Sequence, residues 1–245
     1  MGAELLLIQV RAKNDPMLLH EQQALARRLG PGLRIDARNA VVEPASEQWL
    51  AGKQGLIIGG SGDFSVHKPD NKSWVESLYP LVETALSRSI PSLGICFGHQ
   101  VLGQFLGQPV STSAEHSELG TITLHQKDTA PHCPLLADLP STFVAQSGHT
   151  DWVQGVPAGV ELIVTNETCE TQGFWVRGKP FYSFQFHPDM TGAEARDRYL
   201  AYREGFSERI NETHQTDAER FKVGSDEALA IWPPFVKLMK TYEPS

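Results

Sequence analysis

Cysteine is scarce in this chain. There are three, Cys96, Cys133 and Cys169, widely spaced and with no Cys-x-x-Cys pair. That pattern argues against a disulfide framework and a cysteine-ligated zinc site, so no metal is expected. Long apolar runs are missing too. The longest early one, Leu5-Leu6-Leu7-Ile8, is strand-sized, far below the ~20 residues that a membrane span requires. The start of the chain has neither a basic segment nor a signal-cleavage site, and Leu6 stands where a myristoylation signal needs Ser or Thr. The expectation is a cytoplasmic protein with no membrane partner. Positive charge is in deficit, with 21 Lys and Arg against 29 Asp and Glu for a net charge of −8. With no local cluster of cations either, a nucleic-acid partner is not expected.

What is present is ordinary globular material, 245 residues of which 40% are hydrophobic, enough for one large domain. Leu5–Val10 reads as a buried strand. Asp15-Pro16 is a helix-start signal, and Leu18, Gln22, Leu25 and Leu29 carry helical spacing over Met17–Leu29. Alternation at Leu33, Ile35 and Ala37 gives a second strand, and Gly55–Ile58 gives a third that enters a loop at Gly59-Gly60-Ser61-Gly62. The stripe Trp74, Leu78, Leu81, Val82, Ala85, Leu86 is helical, kinked or restarted at Pro80. Strand Ser92–Ile95 runs into Cys96, and a helix covers Gly98–Leu106. Strands alternating with helices predict an α/β fold with a mostly parallel sheet flanked by helices. Then the pattern changes. Thr121–Leu124, Phe143–Ala145, Glu161–Thr165, Gly173–Val176 and Phe181–Phe186 are short strands with no helix between them. They predict a small antiparallel extension whose last strand returns to the main sheet. Thr191-Gly192-Ala193-Glu194 is a capping box, followed by a helical face of Ala195, Tyr199, Tyr202 and Phe206, a polar loop over 207–225, and a helix over Asp226–Thr241 interrupted at Pro233-Pro234. The predicted organisation is a domain over residues 1–190 and a helical extension over 191–245 packed on it.

The segment that carries chemistry is Gly94-Ile95-Cys96-Phe97-Gly98-His99-Gln100, between a predicted strand and a predicted helix. A Gly-x-Cys-x-Gly turn in that context is a nucleophile elbow. The cysteine backbone is strained there, and residues two positions either side must be small. The turn sets the sulfur at a helix N-terminus, where the macrodipole favours a thiolate, and aims the Phe97 N–H where an oxyanion would form. Cys133 and Cys169 lack that context and read as buried small hydrophobes. A thiol nucleophile needs a base and a group to orient it. Phe184-Gln185-Phe186-His187-Pro188-Asp189 supplies both, at the end of the last predicted strand. Of the other histidines, His99 should project away from the sulfur, and His149 lies in a turn-rich loop that could line the site.

Taken together, Gly-Ile-Cys-Phe-Gly-His-Gln and the later Gln-Phe-His-Pro-Asp resemble the class I (triad) glutamine amidotransferases. Further landmarks agree in order: Ile57 to Gly62 with Ser65-Val66, Leu106-Gly107, Glu118-Leu119-Gly120, His149-Thr150-Asp151-Trp152-Val153, Thr168-Cys169 and Gln172-Gly173-Phe174. The similarity covers roughly residues 4–190 and is nearest to the glutaminase half of GMP synthetase.

The resemblance implies a flavodoxin-like fold and a catalytic Cys96, His187 and Asp189 that cleave the glutamine side-chain amide through a γ-glutamyl thioester, with no cofactor. It implies an oxyanion hole from the backbone of Gly60 and Phe97, and substrate contacts from Gly62, Gln100, Thr150 and Asp151. Two positions depart from the family pattern: Asp189 stands where Glu is usual, and Thr150 where Ser or Gly is usual. The chain contains neither an ATP-pyrophosphatase loop nor a P-loop, so an ammonia acceptor would be a separate synthetase subunit. The C-terminal helices could pack on the domain, shape the site or form a homodimer contact. The same triad also serves γ-glutamyl peptidases, and the same fold could serve as a binding module.

Overall fold

A computed structural model describes residues 3–210 and 219–244, and of Ala3 and residues 202–210 the backbone alone. In chain order the elements are β1 (Ala3–Val10), α1 (Met17–Leu29), β2 (Leu33–Asn39), β3 (Gly55–Ser61), α2 (Lys72–Glu76), α3 (Leu78–Ser87), β4 (Ser92–Ile95) and α4 (Phe97–Phe105). Then follow β5 (Val110–Thr112), β6 (Glu118–Gln126), β7 (Thr142–His149), β8 (Asp151–Val153), β9 (Val160–Thr165), β10 (Gly173–Val176), β11 (Phe181–Phe184), α5 (Gly192–Ile210) and α6 (Trp232–Thr241). Nine strands form one mixed sheet in the order β2-β1-β3-β4-β11-β10-β9-β6-β7, and β5 pairs with β8 in a separate ribbon. The strands from β2 to β11 are mutually parallel, and β10, β9, β6 and β7 continue the sheet antiparallel.

Both faces of the parallel half are covered, as its unbroken apolar strands require. Successive residues of β1 point to opposite sides. Leu5 and Leu7 pack with Leu25 and Leu29 of α1 and with Trp232, Phe235 and Met239 of α6. Leu6 and Ile8 pack with Leu78, Leu81 and Val82 of α3 and Val101 and Leu102 of α4. At the start of α1 the Asp15 carboxylate accepts from the Met17 N–H at 2.7 Å, and Pro16 takes helical angles, so the start signal works as a side-chain cap with proline in the first turn.

β6 and β7 run longer than the sequence reading and β11 stops at Phe184; four further differences bear on the fold. First, β3 runs on through Gly59 and Gly60; its register against β1 shifts there, leaving both glycines opposite Gln9 as a bulge that bends the strand end. Second, the helical stripe around Pro80 restarts at Ser77, upstream of the proline, and Pro80 falls in the first turn of α3, where its missing N–H costs nothing. Third, α5 extends through Ile210, so 207–210 are helical rather than loop. The rest of that predicted loop, as far as 218, and the side chains of Tyr202 and Phe206 lie outside what the structure describes. Fourth, Pro233-Pro234 do not interrupt the last helix but open it: Glu227–Ile231 is a 3-10 turn and α6 begins at Trp232.

The capping box forms in full. Glu194 N–H donates to Thr191 Oγ1 at 3.1 Å and Thr191 N–H to Glu194 Oε2 at 2.8 Å. Glu194 also pairs with Arg27 and Arg28 of α1, fixing α5 beside α1.

Candidate functional site

Three adjacent parallel strands, β3, β4 and β11, end at one edge of the sheet, and each delivers one part of the site. Just past β4, Cys96 sits at φ 50°, ψ −96°, one of two non-glycine residues with positive φ among those described. Such a conformation costs about 1–3 kcal/mol and survives only where the surroundings impose it. Here they do. The Cys96 N–H donates to the Phe184 carbonyl at 2.8 Å, and the Cys96 carbonyl accepts from His99 and Gln100 at 3.1 Å each. The flanking glycines are a steric requirement. A Cβ on Gly94 would stand 2.7 Å from the Gly98 backbone, and one on Gly98 only 2.2 Å from the Ile58 carbonyl oxygen.

Past β11, the His187 N–H donates to the Gln146 carbonyl at 2.8 Å, and His187 Nδ1 lies 3.0 Å from Asp189 Oδ1. Both side chains are buried. Gly60, from the bulge, fills the space between Cys96 and His187. A Cβ there would be 2.9 Å from His187 Cε1, 3.6 Å from His187 Nε2 and 3.6 Å from Cys96 Cβ. Only a glycine lets the imidazole and the cysteine share this corner.

The backbone around Asp189 is held at two points. Trp232 Nε1 donates to the Pro188 carbonyl at 2.7 Å, and Arg28 Nε to the Asp189 carbonyl at 3.1 Å. The carboxylate itself is shared, with Arg198 Nη2 3.4 Å from Oδ2. Burial pushes the Asp189 carboxyl up, but the charge and hydrogen bond of His187 and the Arg198 guanidinium outweigh it and hold the pKa well below the usual carboxylate range.

The sequence reading of an activated thiolate is not what the resting site provides. Burial first, then the charges of Asp151 and Asp189, push the Cys96 thiol up to about 12, against a smaller lowering by the Phe97 N–H and Arg198. Cys96 as a whole is 5% exposed, and the short helix end behind it does not offset desolvation. The thiol is therefore protonated at neutral pH. The Gln185 Nε2 donates to it at 3.6 Å.

A cavity of about 360 Å³ opens over Cys96, with Phe97, Gly62, Gln100, Thr150 and Asp151 among its lining residues, a volume suited to a small molecule. Gln100 and the Thr150-Asp151 segment line it, but their polar groups are partly committed. Gln100 Nε2 donates to the Asp151 carbonyl at 3.0 Å, the His149 Nδ1 lies 3.0 Å from the same oxygen, and the Thr150 carbonyl accepts from Ser113 at 3.0 Å. Gln100 thus holds the segment in place. The Asp151 carboxylate accepts from Thr112 Oγ1 at 2.5 Å.

His149 lines the cavity, yet both ring nitrogens are engaged, the second with the buried Glu118 at 3.0 Å. His99 projects away from the sulfur, as expected, onto Ser183 at 2.9 Å and the Phe174 ring; burial pushes it down to about 3. Cys133 and Cys169 are fully buried, and burial pushes both up to about 12. The residues that sequence reasoning missed are Arg28, Arg198 and Trp232. Arg198 falls three residues after Ala195, on the helical face already identified, and that spacing was its one signal.

Comparison with known proteins agrees with this architecture. The family model for class-I glutamine amidotransferases matches residues 26–203. A GMP synthase (glutamine-hydrolyzing) subunit from Methanococcus maripaludis is 33% identical over 187 residues, 76% of this chain and 90% of that one. The corresponding GMP synthase subunit of Thermoplasma volcanium is 28% identical over 72% of this chain and 80% of its own length. The GMP synthase of Caldicellulosiruptor saccharolyticus is 36% identical over 142 residues, but the match spans only 25% of that longer protein. Among solved structures, a glutamine amidotransferase from Thermotoga maritima superposes with TM-score 0.77 at 18% identity over 98% of this chain and all of that one. One from Methylobacillus flagellatus superposes with TM-score 0.74, also at 18% identity, over the whole of this chain and 96% of that one. With a family model spanning well over half of its residues, the chain belongs to the class-I glutamine amidotransferase family of enzymes.

Proposed function

We propose that the chain hydrolyses the side-chain amide of glutamine through a Cys96–His187–Asp189 triad and releases ammonia. The observation that carries this reading is the corner at Gly60, where a strained, buried cysteine and a carboxylate-bound histidine face each other across a residue with no side chain.

The protonated thiol sets the order of events. As the sulfur attacks the amide carbon, its proton passes to His187 Nε2, while Asp189 holds Nδ1 and stabilises the imidazolium. The C=O π bond opens onto oxygen, and the Phe97 N–H, with a backbone N–H at the Gly60 bulge, receives the oxyanion. Collapse breaks the C–N bond, and the departing nitrogen takes the proton from His187. A γ-glutamyl thioester is left on Cys96. Water then attacks that carbon, losing its proton to His187. The C–S bond breaks, the sulfur regains the proton, and glutamate leaves. Water supplies the only co-reactant, and no metal or cofactor enters the balance. Gly62, Gln100, Thr150 and Asp151 border the volume where the amino-acid end of the substrate would lie.

Two of the relatives are named as one subunit of GMP synthase rather than as the whole enzyme, which supports a separate synthetase partner that accepts the ammonia. The test is a substrate screen of purified protein, with glutamine beside γ-glutamyl dipeptides and glutathione conjugates, followed by ammonia or amine release. Glutamine turnover well above that of the peptides is expected. Turnover of the peptides alone would overturn the reading in favour of a γ-glutamyl peptidase.

A further inference from the structure

The buried face behind Asp189 carries a charged group to which the reaction assigns no role. Arg198, on α5, is 8% exposed. Its Nη2 lies 3.4 Å from Asp189 Oδ2 and 3.5 Å from His20 Nδ1. Among the described residues, its Nε and Nη1 find no hydrogen-bond partner. Among the described residues, Asp189 is the one carboxylate within ion-pair reach of it. Taking a guanidinium out of water is costly unless a partner compensates it, so this contact is what keeps Arg198 where it is. In turn, Asp189 has its two oxygens divided between His187 and Arg198. A carboxylate held at both oxygens cannot rotate away from the imidazole.

We propose that Arg198 is a positioning residue for the reaction: its guanidinium holds Asp189 Oδ2 so that Oδ1 stays on His187 Nδ1, which makes helix α5 part of the catalytic apparatus. The proposal rests on the triad reading. Among the described residues, the charged groups around Asp189 are His187 from the β11 exit, Arg198 from α5, and His20 and Arg28 from α1, with Cys96 across the site; Glu194 acts on His20 and Arg28, and Arg11, after β1, lines the pocket beside His187 and Arg198. Of these, Arg198 is the cation on the carboxylate itself, while Arg28 donates to the Asp189 backbone. Loss of the Arg198 charge therefore raises the pH at which Asp189 takes up a proton.

The test compares Arg198→Met, Arg198→Gln and Arg198→Lys with the wild type in glutaminase kcat and KM across pH, in the pH dependence of Cys96 alkylation by iodoacetamide, and in thermal melting. Loss of a charge-assisted hydrogen bond should lower kcat roughly 10- to 100-fold in the two neutral variants. KM should change little. Because the Arg198 charge lowers both the Asp189 carboxyl and the Cys96 thiol, the acid limb of both profiles should move to higher pH without it. Arg198→Lys keeps the charge and should keep the limb near its wild-type position. A purely structural role would lower the melting temperature and leave the limb in place. Folded Met or Gln variants with a wild-type kcat and an unmoved limb overturn the proposal. If neither neutral variant folds, Arg198→Lys decides, because a limb displaced despite the retained charge also overturns it. Should the wild type release no ammonia from glutamine, the triad's substrate reading fails, while the alkylation profile still tests Arg198.

Discussion

The indole Nε1 of Trp232 donates to the carbonyl of Pro188 at 2.7 Å, and that peptide lies between His187 and Asp189. A residue from the last helix, 44 positions away in sequence, thus fixes the backbone between His187 and Asp189, the proposed base and its proposed orienting carboxylate. Trp232→Phe keeps most of the packing against Phe235 and removes the donor. Leaving the carbonyl unsatisfied should cost about 1–3 kcal/mol, read as a lowered urea midpoint. A misplaced histidine should also lower glutaminase kcat by more than the melting change accounts for.

The Gly60 corner and the elbow glycine should fail differently. Gly98→Ala drives a Cβ to 2.2 Å from the Ile58 carbonyl oxygen. The Cβ is fixed by the main chain and its obstacle is a main-chain carbonyl, so relief requires moving α4 off β3, with an overpacking cost of about 1–3 kcal/mol or more. Gly60→Ala meets the His187 ring at 2.9 Å, and the ring can swing. The expected result is a nearly normal melting temperature with activity down on the order of 100-fold, the effect of displacing a catalytic group by about 1 Å. Melting curves beside steady-state rates separate the two.

Asp189→Asn preserves shape and removes charge. The amide oxygen can still accept from His187 Nδ1, but the imidazolium formed during attack loses its counter-charge, and Arg198 is left facing a neutral group. The expected loss is on the order of 10²- to 10⁴-fold in kcat, with smaller changes in KM. Near-wild-type kcat for this variant would remove Asp189 from the triad.

The pH dependence follows from the thiol. Burial pushes Cys96 up to about 12 from an ordinary value of 9.0. Between those limits the unfolded chain releases its thiol proton and the folded chain keeps it, so stability is intact below pH 9 and falls as pH rises towards 12. Cys133 and Cys169, also raised to about 12, add to the same slope. Cys133→Ala should flatten it, as read by urea midpoints across that range. In the resting protein, iodoacetamide should alkylate Cys96 more slowly than a free thiol at about pH 8.

The legible part of the molecule was the part written in local periodicity and turn chemistry. The elbow glycines, the strand ahead of Cys96, the capping box at Thr191 and the His187-Pro-Asp189 triplet all read from neighbours within a few residues. The protonation state of Cys96 was not legible, because it depends on burial and on Asp151 and Asp189, remote in sequence. Nor were the grips of Trp232, Arg28 and Arg198, since each comes from a helix that local pattern does not tie to the site. The strands of the β5–β8 ribbon are three residues long, too short for alternation to register.

The most direct test of Cys96 as nucleophile is covalent capture by a glutamine-analogue electrophile such as diazo-oxo-norleucine, followed by peptide mass mapping, with Cys96→Ala as control. One adduct per chain is expected, on the peptide containing Cys96, forming in step with the loss of ammonia release from glutamine and absent in the variant. An adduct on another residue, or wild-type glutamine turnover by Cys96→Ala, would contradict it.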